Sequence, residues 1–156
     1  MKLRRLSYMI SVLALVSIAG CSSMGSKTDS GKELSASGPT IMNARSVPST
    51  IELNKSLQPA QSPEILADVK DFSSTVSDVR VRFIHVPLEI PMTNIGGTTW
   101  RATLTPQQLR QLAVSGQTMQ YDVTVIARNQ KGQSITSQEP ITLAVKTPEL
   151  ATSSAG

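Results

Sequence analysis

The chain has 156 residues, a formal net charge of +4 and an aromatic content of 3%. Three of the 15 basic residues, Lys2, Arg4 and Arg5, lie at the N-terminus. The other 12 (15 − 3) are balanced by 11 acidic residues. The chain after the N-terminus therefore lacks the excess of positive charge that is typical of a nucleic-acid-binding protein. A single cysteine excludes an intrachain disulfide, and a single histidine lacks the companion ligands of a zinc site.

The first predicted element is an N-terminal leader. The basic residues precede an uncharged, mostly apolar run, residues 6–20, which is shorter than the roughly 20 residues that a helix needs to cross a bilayer. The small pair Ala19-Gly20 ends this run, and Cys21 follows directly. This order of segments is typical of a secretory signal peptide. The alternative, an unmodified cysteine in an N-terminal anchor helix, fits the short apolar run less well.

The segment Ile18-Ala19-Gly20-Cys21 resembles the lipobox of bacterial lipoproteins. The resemblance implies that residues 1–20 are a signal peptide cleaved between Gly20 and Cys21, that a diacylglyceryl group joins the Cys21 thiol, and that palmitate or a similar acyl chain is added to the new amine. A lipid bilayer is then one partner. Ser22 and Ser23 stand where an Asp would favour inner-membrane retention, so the resemblance favours the outer membrane, facing the periplasm.

Two segments are predicted to lie outside the folded domain. Residues 21–48 contain the lipidated cysteine and a Ser-rich stretch with too few large apolar side chains to offset the entropy of ordering. We expect them to form a flexible tether. Residues 147–156 are predicted to form a disordered tail.

Residues 49–146 alternate apolar and polar side chains with a period of two, which is typical of half-buried strands. The pattern predicts about seven strands, around residues 51–53, 65–69, 79–83, 88–92, 98–104, 119–127 and 141–145. Asn94 to Gly97 and Asn129 to Gly132 are predicted hairpin turns. Thr105, Pro106 and Gln108 predict a capping box that opens a short helix, which we expect to end by Ser115-Gly116.

Three strand segments, residues 67–71, 76–81 and 100–104, resemble bacterial immunoglobulin-like modules, and the segment from Tyr121 to Asn129 resembles the penultimate strand of a fibronectin type III domain. The resemblance implies an all-β fold, an Ig-like antiparallel β-sandwich with one short helix before the penultimate strand. It also implies that Tyr121 is a corner residue whose hydroxyl bonds to nearby backbone.

No catalytic, cofactor or metal motif emerges from the sequence, and a small-molecule ligand is not expected. A serine-nucleophile elbow is absent, which argues against an enzyme. Asp68, Asp71 and Asp78 lie near one loop, but their spacing is not that of a calcium loop, so solvated loop charges are the favoured interpretation.

One outward face is a candidate for binding a protein. If Val79, Val81 and Phe83 point inward, the side chains that point outward are those of Arg80, Arg82, Ile84, Ile126 and Arg128. Arginine beside exposed aliphatic side chains is common at interfaces. The alternative is an ordinary solvated face in which Arg82 pairs with Asp122.

These features predict a non-catalytic binding or assembly module, a lipid-anchored accessory of a secretion, pilus or other envelope complex. The alternative is a glycan- or peptidoglycan-binding adhesion module. That function requires exposed aromatic platforms, and few aromatic residues are present.

Overall fold

The computed structural model of the protein describes residues 38–150. The predicted leader, Gly20, Cys21 and the first part of the predicted tether lie outside the described residues, as does the end of the predicted tail. In chain order the elements are β1 (Pro39–Val47), β2 (Thr50–Glu52), β3 (Glu64–Asp71), β4 (Val76–Phe83), β5 (Glu89–Pro91), β6 (Thr93–Gly96), β7 (Thr99–Thr103), α1 (Pro106–Leu112), β8 (Thr118–Asn129), β9 (Ser134–Thr136) and β10 (Ile141–Lys146).

The strands form two sheets, so the predicted all-β class is confirmed. A four-stranded sheet has the order β1-β3-β7-β6, and a six-stranded sheet has the order β2-β10-β8-β4-β5, with β9 also paired to β8. The six-stranded sheet curls into a half-barrel. The prediction of a purely antiparallel fold is wrong in one place, because β2 pairs with β10 in parallel. The chain passes from one sheet to the other between β1 and β2.

The core lies between the sheets and consists mainly of aliphatic side chains. The predicted alternation is confirmed in the four central strands, whose inward residues are Ile65, Ala67 and Val69 in β3, Val79, Val81 and Phe83 in β4, Val123, Val125 and Ala127 in β8, and Ile141, Leu143 and Val145 in β10. All of these side chains are buried. Since burial of apolar surface drives folding, this alternation also determines which side chains remain outside.

The predicted tether is wrong for its last part, because Pro39–Val47 forms β1. This strand pairs with β3 from Pro39 opposite Asp71 to Val47 opposite Glu64. A bulge interrupts the pairing after Met42, and within it Asn43 has a φ of 51°. The domain therefore begins at β1, ten residues before the predicted boundary at residue 49 (49 − 39).

Helix α1 starts as predicted and ends earlier than predicted. The Thr105 hydroxyl accepts a hydrogen bond from the Gln108 amide, and the Gln108 side chain accepts one from the Thr105 amide. The helix ends at Leu112, because Ala113 is already extended, with φ −80° and ψ 128°. Gly116, with a φ of +69°, lies instead in the turn that leads to β8.

The first residues of the predicted disordered tail are ordered. The Thr147 amide donates a 2.9 Å hydrogen bond to the Gln117 carbonyl, and the Gly116 amide donates one of 3.1 Å to the Pro148 carbonyl. The Leu150 amide reaches the Ser115 hydroxyl at 2.9 Å. Residues 147–150 thus pack against the connection between α1 and β8, because that connection offers them backbone partners.

Candidate partner-docking face

The register of β4 brings most of the predicted docking residues together. Strands β4 and β8 are antiparallel neighbours, with Arg80 opposite Ile126 and Asp78 opposite Arg128. Since Val79 and Val81 point into the core, the side chains at 78, 80 and 82 lie on the outer side of the sheet.

Two carboxylates hold the arginines of β4 in place. The Arg80 Nε lies 2.7 Å from Asp78 Oδ2, and one of its terminal nitrogens lies 3.9 Å from Glu89 Oε2. Arg82 Nε donates a hydrogen bond to the other oxygen of Glu89. These side chains are all more than a third exposed, so the pairs orient the guanidinium groups and contribute little stability.

The predicted alternative pairing of Arg82 with Asp122 is wrong. Strand β5 pairs with the edge of β4 away from β8 and places Glu89 directly opposite Arg82. On the β8 side the residue opposite Arg82 is Thr124. Asp122 instead accepts a 3.3 Å hydrogen bond from Thr142.

Six side chains surround a shallow depression of about 140 Å³, which we call the arginine face: Asp78, Arg80, Arg82, Glu89, Ile126 and Arg128. Arg128 is exposed and forms no ion pair with any residue between 38 and 150. Ile126 is partly buried. The depression thus combines one apolar side chain with three arginines and two carboxylates, and Arg128 is the arginine that these carboxylates leave unpaired.

Ile84 does not belong to this depression. It follows the last residue of β4 and is 47% exposed. It lines a neighbouring hollow of about 570 Å³ together with His85, Val86 and Pro87. Arg82 borders both depressions, so Ile84 adjoins the arginine face without being part of it.

Asp68, Asp71 and Asp78, the acidic residues near one loop, form hydrogen bonds within the protein. Hydrogen bonds from Asn43 and Thr99 hold the pKa of Asp68 below its ordinary value. Burial raises the pKa of Asp71, but hydrogen bonds, among them those from Asn129 and Ser73, outweigh burial and lower that pKa. No cluster of three or more His, Cys, Asp or Glu side chains suited to a metal occurs within residues 38–150.

The aromatic residues between positions 38 and 150 do not form a flat platform for a sugar. Phe83 is 2% exposed, and the rings of Trp100 and Tyr121 are partly buried against the core. Burial also raises the pKa of the Tyr121 phenol. Phe72, in contrast, is 78% exposed.

The part of the chain that the structure describes contains no helix long and apolar enough to cross a bilayer.

The sequence matches no known protein family and no curated protein. A solved structure with partial similarity is described as "Structural insight into host cell surface retention of a 1.5-MDa bacterial ice-binding adhesin"; it is 18% identical, covers 74% of this chain and has a TM-score of 0.39. The chain spans 34% of that protein, and a likeness of this extent carries no conclusion about fold or function.

Proposed function

We propose that the chain is a lipid-anchored, non-catalytic binding module of the bacterial cell envelope. Acyl chains on Cys21 hold it in the outer membrane, and an Ig-like domain docks an envelope protein from the periplasmic side. The anchor rests on the sequence from Ile18 to Cys21 and on the basic and apolar segments before it. Two or more acyl chains give a stable anchor, since each buried methylene contributes about 0.8 kcal/mol.

The Ig-like interpretation is supported by three features of the described domain. Two sheets enclose one aliphatic core, and consecutive strands β1 and β2 belong to different sheets. The hydroxyl of Tyr121, near the start of β8, donates a 2.6 Å hydrogen bond to the Leu112 carbonyl. A tyrosine that reaches back to the backbone in this way is a recurrent feature of Ig-like sandwiches.

The observation that carries the docking proposal is the arginine face. Arg80 and Arg82 are oriented before any partner arrives, because Asp78 and Glu89 fix them. Side chains that are already ordered lose less entropy on binding. Arg128 remains without an ion pair inside the described domain, so it is available for a carboxylate of the partner.

Crosslinking in cells tests the docking face. Arg82→Ser together with Ile126→Ser should change the free energy of unfolding by no more than about 1 kcal/mol, since neither side chain is fully buried. The yield of crosslinked adducts should fall sharply. The matched control is Arg101→Ser with Met42→Ser, which removes an exposed arginine and an exposed apolar side chain from the four-stranded sheet.

The comparison is made at equal protein level and equal melting temperature. Loss of adducts in the first double variant alone supports docking through the arginine face. Equal adduct yields for wild type and both double variants would remove this face from consideration.

Intact mass of the membrane fraction tests the anchor. The mature protein should lack residues 1–20 and carry acyl chains, and Cys21→Ser should abolish both changes. A wild-type protein without an acyl signal, together with a Cys21→Ser variant that still fractionates wholly with the membrane, would contradict the proposed anchor.

A further inference from the structure

We propose that the end of the domain that carries Phe72 contacts the phospholipid surface. The contact consists of Phe72, Lys70 and Lys131, which we call the Phe72 tip. This inference deepens the proposed function and rests on its lipid anchor, because it states which end of the tethered domain faces the membrane.

Phe72 is 78% exposed, more than any other large apolar side chain within residues 38–150. It lies in the connection between β3 and β4, directly after Asp71. Transfer of a phenylalanine ring from water to an apolar environment is favourable. Exposed phenylalanine rings are common in segments that lie at a membrane interface.

The loop that presents Phe72 is braced from inside the domain. The Asp71 carboxylate accepts hydrogen bonds from the Ser73 amide at 2.7 Å, the Ser73 hydroxyl at 2.9 Å, the Ser74 amide at 3.0 Å and the Asn129 side chain at 2.7 Å. These bonds engage both carboxylate oxygens, one with the loop itself and the other with Asn129 at the end of β8. They also fix the backbone on both sides of the ring, so the ring is held outward and does not fold back onto the sheet.

Two lysines flank the ring. The Lys70 ammonium lies 4.9 Å from the centre of the Phe72 ring, and the Lys131 ammonium donates a 2.8 Å hydrogen bond to the Ser73 carbonyl. Neither lysine forms an ion pair with a residue of the described range. The tip therefore combines an apolar ring with two lysines that form no ion pair in the described domain, which complements the phosphate groups and acyl boundary of an anionic bilayer.

The tip lies where the chain enters the domain. Asp71, next to Phe72, is paired with Pro39, the first residue of β1. Only 17 residue steps (38 − 21) separate Cys21 from Gly38. A flexible chain of that length, as the composition predicts, has an r.m.s. reach of about 20–25 Å. Strand β8, with 12 residues, gives the domain a length of about 40 Å. This end is therefore the one held close to the bilayer.

Fluorescence of the full chain in vesicles tests the contact. Phe72→Trp places a reporter in the tip, and Val114→Trp places one at the opposite end, between α1 and β8, where Val114 is 37% exposed. In phosphatidylcholine vesicles with brominated acyl chains and added phosphatidylglycerol, we expect the emission of Phe72→Trp to be quenched and shifted to the blue. Val114→Trp should behave like the wild type, which contains only Trp100.

Equal quenching of the two variants, or none in Phe72→Trp, would overturn the inference. Intact mass of the same samples reports on the anchor separately. Acylated protein without quenching at position 72 refutes the tip and leaves the anchor in place, whereas quenching without an acyl signal supports the tip and refutes the anchor.

Lysine variants distinguish a lipid contact from chance proximity. Because a lysine at an anionic surface contributes about a fivefold factor in binding, Lys70→Gln should weaken the quenching of Phe72→Trp in vesicles that contain phosphatidylglycerol. The same substitution should have no effect in pure phosphatidylcholine. Quenching that is independent of Lys70, salt and phosphatidylglycerol would refute the electrostatic part of the contact.

Discussion

The Tyr121 hydroxyl donates a 2.6 Å hydrogen bond to the carbonyl of Leu112, nine residues earlier in the chain. Leu112 is the last residue of α1, where helix carbonyls lack intrahelical partners. The Tyr121 ring also meets Phe83 edge-on, with the ring centres 6.1 Å apart. One side chain thus ties the helix end to the core of the six-stranded sheet.

We expect Tyr121→Phe to lower the free energy of unfolding by about 1 kcal/mol, because it removes one hydrogen bond and keeps the ring. Tyr121→Ala should cost about 3 kcal/mol, since it also removes the packing on Phe83. Denaturant melts of the protein measure both values. Phe72→Ala is the control, because that ring is 78% exposed and its loss should cost less than about 0.5 kcal/mol. A cost for Tyr121→Ala as small as the control would show that the ring is not part of the core.

We expect the Asp71 carboxylate to make the free energy of unfolding depend on pH in the acidic range. Its native pKa is lowered, so the stability that its hydrogen bonds provide is present above the unfolded-state pKa of about 3.9 and is lost as the pH falls through the native pKa. We expect Asp71→Asn to be less stable than the wild type at neutral pH. The Asn129 side chain donates a hydrogen bond to Asp71 Oδ2, and an amide NH₂ group at that position could not accept it.

Denaturant melts from neutral to strongly acidic pH measure this effect. The difference between wild type and Asp71→Asn should narrow as the solution becomes acidic, because the wild type loses the contribution of its carboxylate. Glu139→Gln, an exposed change in the connection between β9 and β10, should leave the free energy of unfolding at neutral pH unchanged. A difference between Asp71→Asn and wild type that stays constant with pH would contradict the assignment.

The capping box of α1 gives a prediction of its own. Thr105→Ala removes the acceptor for the Gln108 amide and should cost about 1 kcal/mol. Gln107→Ala, an exposed change in the first turn of the same helix, should be nearly neutral because alanine is a good helix former. Thermal melts of the two variants compare them directly, and equal melting temperatures would show that the box contributes nothing to stability.

The sequence predicts strands where large apolar side chains alternate along one buried face. Alternation identified β3, β4, β8 and β10 because every second side chain in them is in the core. All residues of β6 and β9 are exposed, so no alternation marks these strands. In β1 the bulge at Asn43 breaks the period of two, and the inward residues after it, Ala44 and Ser46, are small. Strand β1 therefore shows no alternation of large apolar and polar side chains.

The candidate face was predictable in part for the same reason. The outward direction of Arg80 and Arg82 follows from the burial of their neighbours in β4. The position of Glu89 depends on the register between β4 and β5, which a three-residue strand does not encode in its own pattern. Extending the alternation of β4 predicts that Ile84 lies on the face, but the strand ends one residue earlier, at Phe83.

The ion pairs of the arginine face give the last prediction. Glu89→Gln removes the carboxylate that contacts both Arg80 and Arg82. Arg82 then loses its only ion pair within residues 38–150, whereas Arg80 keeps its contact with Asp78. The free energy of unfolding should change by less than about 1 kcal/mol, because exposed ion pairs contribute little. If a partner docks on oriented arginines, the yield of crosslinked adducts should nevertheless fall. Glu64→Gln is the matched control, since Glu64 lies 3.4 Å from Arg101 on the other sheet. Equal adduct yields for the two variants at equal protein level would mean that the orientation of Arg82 by Glu89 does not matter for binding.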